Sequence, residues 1–157
     1  MITAISIRDS KKYADAGWDV LVIVRNPGKF GDYIQKTEGL YYVPVLSPSQ
    51  ELTLKAKELR DAGKLDQKTF HTEIADPFLK ELVVSDEAKN MLNRISKASK
   101  GGRKIALACF CQDPDICHRS VVAGLLQAVG NPSQGIAEYS PYMFDYLVFE
   151  NREKNKK

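Results

Sequence analysis

The chain lacks most of what would tie it to a membrane, an oxidising compartment or a polyanion. No stretch approaches the roughly 18 consecutive apolar residues that a membrane-spanning helix requires. The opening Met1-Ile2-Thr3-Ala4-Ile5 carries no basic n-region of a secretory signal. The expected location is therefore cytoplasmic, with no membrane partner. Cysteine is scarce, and the three present fall within nine positions, 109–117, which argues against a disulfide scaffold. Excess charge is small: the net value is +3, and the terminal stretch Arg152–Lys157 supplies part of it, so composition alone does not demand nucleic acid. Internal repeats and Gly/Ser- or Pro-rich linkers are missing too. What remains is 157 residues of ordinary globular composition, 43% hydrophobic and 27% charged. That length fits one domain over residues 1–150, followed by a flexible basic tail over 151–157.

The apolar pattern alternates between strand-like and helix-like segments. Met1 to Ile7 alternates apolar and small polar residues. Asp19-Val20-Leu21-Val22-Ile23-Val24-Arg25 is a β-branched run suited to a strand covered on both faces, stopped by Asn26-Pro27-Gly28. Tyr41-Tyr42-Val43-Pro44-Val45 reads as a third strand, with Pro44 placing it at an edge. Ser47, Pro48 and Gln50 have the form of a capping box opening a helix with Leu52, Ala56 and Leu59 on one face and Gly63 at its end. Asp66 is placed to cap a second helix bearing Phe70 and Ile74, which Pro77 breaks or bends. Ser85 caps a third, with Ala88, Met91, Leu92 and Ile95 as its apolar face and Gly101-Gly102 as its stop. Lys104–Phe110 is a buried strand, and a helix follows from about Cys117 to Val129 with Val121, Val122, Leu125, Leu126 and Val129 inward. Tyr139–Phe149 supplies a further strand. Strands separated by helices predict a three-layer α/β domain, Rossmann-like, with a mainly parallel sheet. Ligands of such sheets bind beyond the carboxyl ends of the strands, where the loops after Arg25 and Phe110 both open.

One block carries chemistry. Cys117-His118-Arg119-Ser120 stands where a loop becomes a helix. The first N–H groups of a helix lack internal partners and carry partial positive charge, so a guanidinium and a hydroxyl there suit a phosphate or carboxylate. The same field lowers a thiol pKa, which makes Cys117 a candidate nucleophile and His118 its proton partner. Arg25, ending a buried strand, is a further anion contact beside Arg119 and Ser120. The plain alternative is structural: a loop residue such as Asp115 caps the helix, Arg119 forms a salt bridge and Cys117 is a small buried hydrophobe.

Two other readings use the thiols differently. Cys109, Cys111, Cys117 and His118 supply the soft donors zinc favours, but without a Cys-X-X-Cys knuckle, and with neighbouring Cys117 and His118 both having to reach one ion. Cys109 is more simply core. A redox pair of Cys111 and Cys117 needs Cα atoms within about 7 Å. His71 and Glu73, two apart on a helix, do not face each other and make no general-base pair. Phe110 and the tyrosines suit base stacking, although aromatics in a small domain are more often core.

The segment Ala106-Leu107-Ala108-Cys109 through Asp113-Pro114 to Cys117-His118-Arg119-Ser120 resembles the signature of the DUF488 family: a strand ending in Cys, an Asp-Pro loop, and Cys-His-Arg opening a helix. Val24-Arg25-Asn26-Pro27 resembles that family's early Asp-Val-Arg segment, and Leu46-Ser47-Pro48-Ser49-Gln50-Glu51-Leu52 resembles a Leu-Ala-Pro-Ser-x-Glu-Leu segment of some members. Ile23 stands where the family commonly has aspartate, and Cys111 where many members have an acidic residue. The resemblance implies the α/β fold and points to the same residues, and it brings no reaction with it. The expected function is binding of, or thiol-dependent chemistry on, a phosphate-bearing small molecule or nucleic acid, with no cofactor assigned. The competing class is a non-enzymatic interaction module, and a homodimer is compatible with either.

Overall fold

Four short apolar segments, widely separated in sequence, lie side by side. In the computed structural model, which describes residues 1–110 and 116–131, they form β1 (Ile2–Ser6), β2 (Asp19–Val22), β3 (Leu40–Tyr42) and β4 (Ile105–Cys109). The sheet is parallel throughout, in the order β1-β4-β2-β3. Parallel neighbours need crossover connections, and here helices provide them. α1 (Ser10–Asp15) and α2 (Phe30–Lys36) cover one face. α3 (Gln50–Asp61), α4 (Gln67–Phe70), α5 (Asp76–Val84), α6 (Asp86–Lys100) and α7 (His118–Ala128) cover the other. The result is the three-layer α/β architecture expected.

The period of two along the strands divides the core. Val20, Val22 and Val24 join Ala106 and Ala108 under α1 and α2, while Leu21 and Ile23 join Ile105 and Leu107 under the remaining helices. Every residue of β4 is buried, as an interior strand covered on both faces requires.

Several boundaries differ from the sequence expectation. The run Asp19–Arg25 stops pairing early: β2 ends at Val22, opposite Ala108 and one residue before β4 ends at Cys109, and the Ile23 N–H still donates to the Ala108 carbonyl (3.0 Å). The strand expected over Tyr41–Val45 covers Leu40–Tyr42, and Pro44–Leu46 curls into a tight helical turn; β3 is an edge strand among the described residues, as Pro44 suggested. The N-cap of α3 is Ser49 rather than Ser47. Its Oγ accepts from the Leu52 N–H (3.3 Å), and the Glu81 carboxylate of α5 accepts from the Ser49 N–H (3.0 Å). Ser47 instead donates its hydroxyl to the Pro44 carbonyl (2.5 Å). Asp66 and Ser85 cap as expected, accepting from Thr69 N–H (2.7 Å) and Ala88 N–H (3.2 Å). Pro77 does not break its helix. One widened turn, His71–Ala75, connects α4 to α5 and absorbs the missing N–H and the ring. Val129, expected inward, is 37% exposed because it lies past the end of α7, where Gly130 at φ +94° turns the chain away. The strand expected over Tyr139–Phe149 and the tail over 151–157 lie outside the described residues. Among the described residues no helix is long and apolar enough to cross a membrane.

Candidate functional site

The carboxyl ends of β2 and β4 are adjacent, so the chain leaving each strand opens onto one edge of the sheet. A cleft of about 390 Å³ lies there, between that edge and α3. This volume is within the roughly 300–1,000 Å³ range of small-molecule sites. Leu52, Phe70, Ile74 and Cys109 make a buried, apolar floor. Arg25, Lys57, Arg60 and Asp61 are exposed at its margin, three cations against one carboxylate among the described residues. The Arg25 Nε–H donates to the Pro48 carbonyl (2.8 Å), and its own carbonyl accepts the Tyr42 hydroxyl (2.5 Å), so the strand exit is braced from both sides. Phe110, 47% exposed, also lines the cleft and meets Phe30 edge-on, with ring centroids 6.3 Å apart.

His118 also lines the cleft. It contacts the Ile23 carbonyl through Nε2 at 2.5 Å. A carbonyl can only accept, so Nε2 carries a proton and donates it, with Nδ1 on the other side of the ring. Cys109 Sγ stands 3.7 Å from that Nδ1. Phe78 packs edge-to-face against the imidazole, with centroids 5.8 Å apart and planes at 81°, which fixes the ring from a third direction. Ile23 holds the histidine through its backbone, a role independent of its side chain.

Cys117 occupies the N-cap of α7 with extended backbone (φ −127°, ψ 138°), and His118 is the first helical residue. That change of conformation between neighbours lets both side chains converge. The ligand atoms of Cys109, Cys117 and His118 all lie within 4.8 Å of one another. The objection that adjacent residues cannot reach one point therefore falls.

The remaining residues of the block go elsewhere. Arg119 is 3% exposed and Ser120 is fully buried, and neither lines the cleft. Successive helical residues are rotated by about 100°, so with His118 turned to the cleft the next two point away from it. The start of α7 thus brings the imidazole to the cleft, while the exposed cations come from Arg25 and from α3. Cys117 is buried and does not line the cleft, whereas Cys109, buried in the core as expected from sequence, also lines it. Cys111 lies outside the described residues. Lys57 and Arg60 were missed by sequence reasoning. Their three-residue spacing marks one helix face, but nothing local shows that this face overlooks the end of β4. His71 and Glu73 do not face each other, as expected: His71 Nε2 lies 3.9 Å from Asp76, and Glu73 pairs with Lys55 at 2.6 Å.

Residues 2–130 match the family model described as DUF488-N3a, the active DUF488-N3 subclade. No curated protein and no solved structure matches the chain.

Proposed function

The chain belongs to the DUF488-N3a family, and from that premise we propose that its carboxyl-edge cleft binds a phosphate-bearing ligand, a nucleotide or a nucleic-acid end, beside the Cys109–His118 pair. The observation that carries this reading is the placement of charge among the described residues: Arg25, Lys57 and Arg60 against Asp61, around a cleft with an apolar floor. Arg25 spends only its Nε on Pro48 among the described residues, which orients the planar guanidinium for a bidentate phosphate contact. Phe110 offers an exposed ring at the same rim for stacking on a base. The description of the subclade as active agrees with chemistry at the Cys109–His118 pair and names no reaction.

Calorimetric titration with inorganic pyrophosphate and with a nucleoside diphosphate tests the proposal. A charge-assisted contact is worth about 1.5–3 kcal/mol, so Arg25→Ala weakens binding by about 10- to 150-fold. Lys57→Ala and Arg60→Ala weaken it by less, and added salt diminishes their effect, since both side chains are exposed. Absence of saturable binding by either probe, or an Arg25→Ala variant that binds like the parent, overturns the reading.

A further inference from the structure

We infer that Cys109, Cys117 and His118 form a site for one thiophilic cation of the Zn²⁺ class, bound through two thiolates and the imidazole Nδ1. The inference concerns the floor of the same cleft but does not require an anion at its rim.

The donor set, two sulfurs and one nitrogen, is the soft combination that zinc selects over calcium or magnesium. The spacing agrees as well. Zinc–sulfur bonds of about 2.3 Å and zinc–nitrogen bonds of about 2.0–2.1 Å at tetrahedral angles place sulfur about 3.6 Å from nitrogen and about 3.8 Å from sulfur. Cys109 Sγ is already 3.7 Å from His118 Nδ1, and no pair of the three donors exceeds 4.8 Å. Side-chain rotations that draw them together by about 1 Å complete the triangle. The outer shell is also in place. A histidine that ligates through one nitrogen commonly donates its other N–H to a backbone carbonyl, and His118 does so to Ile23.

Charge explains why a buried position tolerates the ion. Two thiols each lose a proton to solvent, two S–H bonds are replaced by two metal–sulfur bonds, and no electron is transferred. The two thiolates then cancel the dication, so no net charge enters the core. The start of α7 adds a field that favours the thiolate forms. Cys109 and His118 line the cleft while Cys117 does not. Among the described residues these three are the donors, so a water or a ligand oxygen from the cleft completes the tetrahedral shell, as in sites with three protein ligands and one exchangeable position.

The test titrates the full-length, reduced, metal-free chain with Co²⁺ alone. The expected result is one equivalent bound, with thiolate-to-cobalt charge-transfer absorption, strong tetrahedral ligand-field bands, and bleaching on addition of Zn²⁺. X-ray absorption of the zinc-loaded parent, which depends on no variant folding, is expected to show two sulfurs and nitrogen or oxygen for the rest. Cys109→Ser and Cys117→Ser each lower Co²⁺ affinity by at least about a hundredfold, since outer-shell partners alone are worth about 10–100-fold. Arg25→Ala leaves Co²⁺ affinity unchanged, which separates this inference from the anion reading. An octahedral cobalt spectrum with the folded parent, parent-like affinity in both serine variants, or rapid alkylation of Cys109 in saturating Zn²⁺ overturns it; the last result would assign the thiol as a nucleophile instead.

Discussion

Replacing His118 by phenylalanine isolates what its Nε2–H contributes. The substitution keeps an aromatic ring against Phe78 and removes the donor to the Ile23 carbonyl. That carbonyl lies one residue beyond β2, where the strand ladder has ended. Leaving a buried acceptor without its donor costs about 1–3 kcal/mol. The contact is only part-buried, so about 1–2 kcal/mol is expected, equivalent to about 2–8 °C in Tm for a chain of this length. His118→Gln is the matched control. Its amide nitrogen sits near the position of Nε2 and restores the bond, so that variant falls between parent and phenylalanine. Urea unfolding of metal-free, reduced protein measures both, with an unchanged m-value confirming that the denatured states are comparable. If His118→Phe were as stable as the parent, or more stable than His118→Gln, the histidine would not be anchored as described.

The junction of α3 and α5 makes a second prediction. Ser49→Ala is expected to cost about 1 kcal/mol as a lost N-cap, and Glu81→Ala about 1–2 kcal/mol because the Ser49 N–H then loses its carboxylate. The double variant costs less than the two losses added, since both act on one helix terminus; additive urea midpoints would contradict this. Asp66 gives an acid dependence. The Thr69 N–H holds its carboxyl below the ordinary value of 3.8, so its contribution is complete above that value and disappears as pH falls through the depressed folded value. Asp66→Asn keeps a cap and flattens the urea midpoint between about pH 5 and about pH 2.5; an unchanged slope would remove Asp66 as a source.

Local patterns made much of the fold legible. The β-branched run before Arg25 and the apolar run before Phe110 announced two covered strands, and Asp66 and Ser85 announced their helix starts because a cap acts within three residues. Other features depend on distant partners. Ser49 displaces Ser47 as a cap, with a carboxylate 32 residues away satisfying its N–H. β2 stops opposite Ala108, one residue before β4 ends, although its own apolar run continues to Val24. The cleft followed from the parallel order, since loops after Arg25 and Phe110 had to share an edge. The roles within Cys117-His118-Arg119-Ser120 did not follow, because four adjacent residues at a helix start point in different directions. Lys57, Arg60 and the Ile23 carbonyl join the site only through tertiary packing.

Where a bound phosphate sits is the decisive quantity. Titrating isotopically labelled protein with a nucleoside diphosphate and following its NMR resonances measures that directly. Saturable shifts are predicted to concentrate on Arg25, Cys109, Phe110, His118 and the Lys57–Arg60 turn of α3. Shifts that saturate elsewhere, as around Glu81 and Glu87 in the neighbouring cleft or at the amino end of the sheet near Lys104, would contradict it.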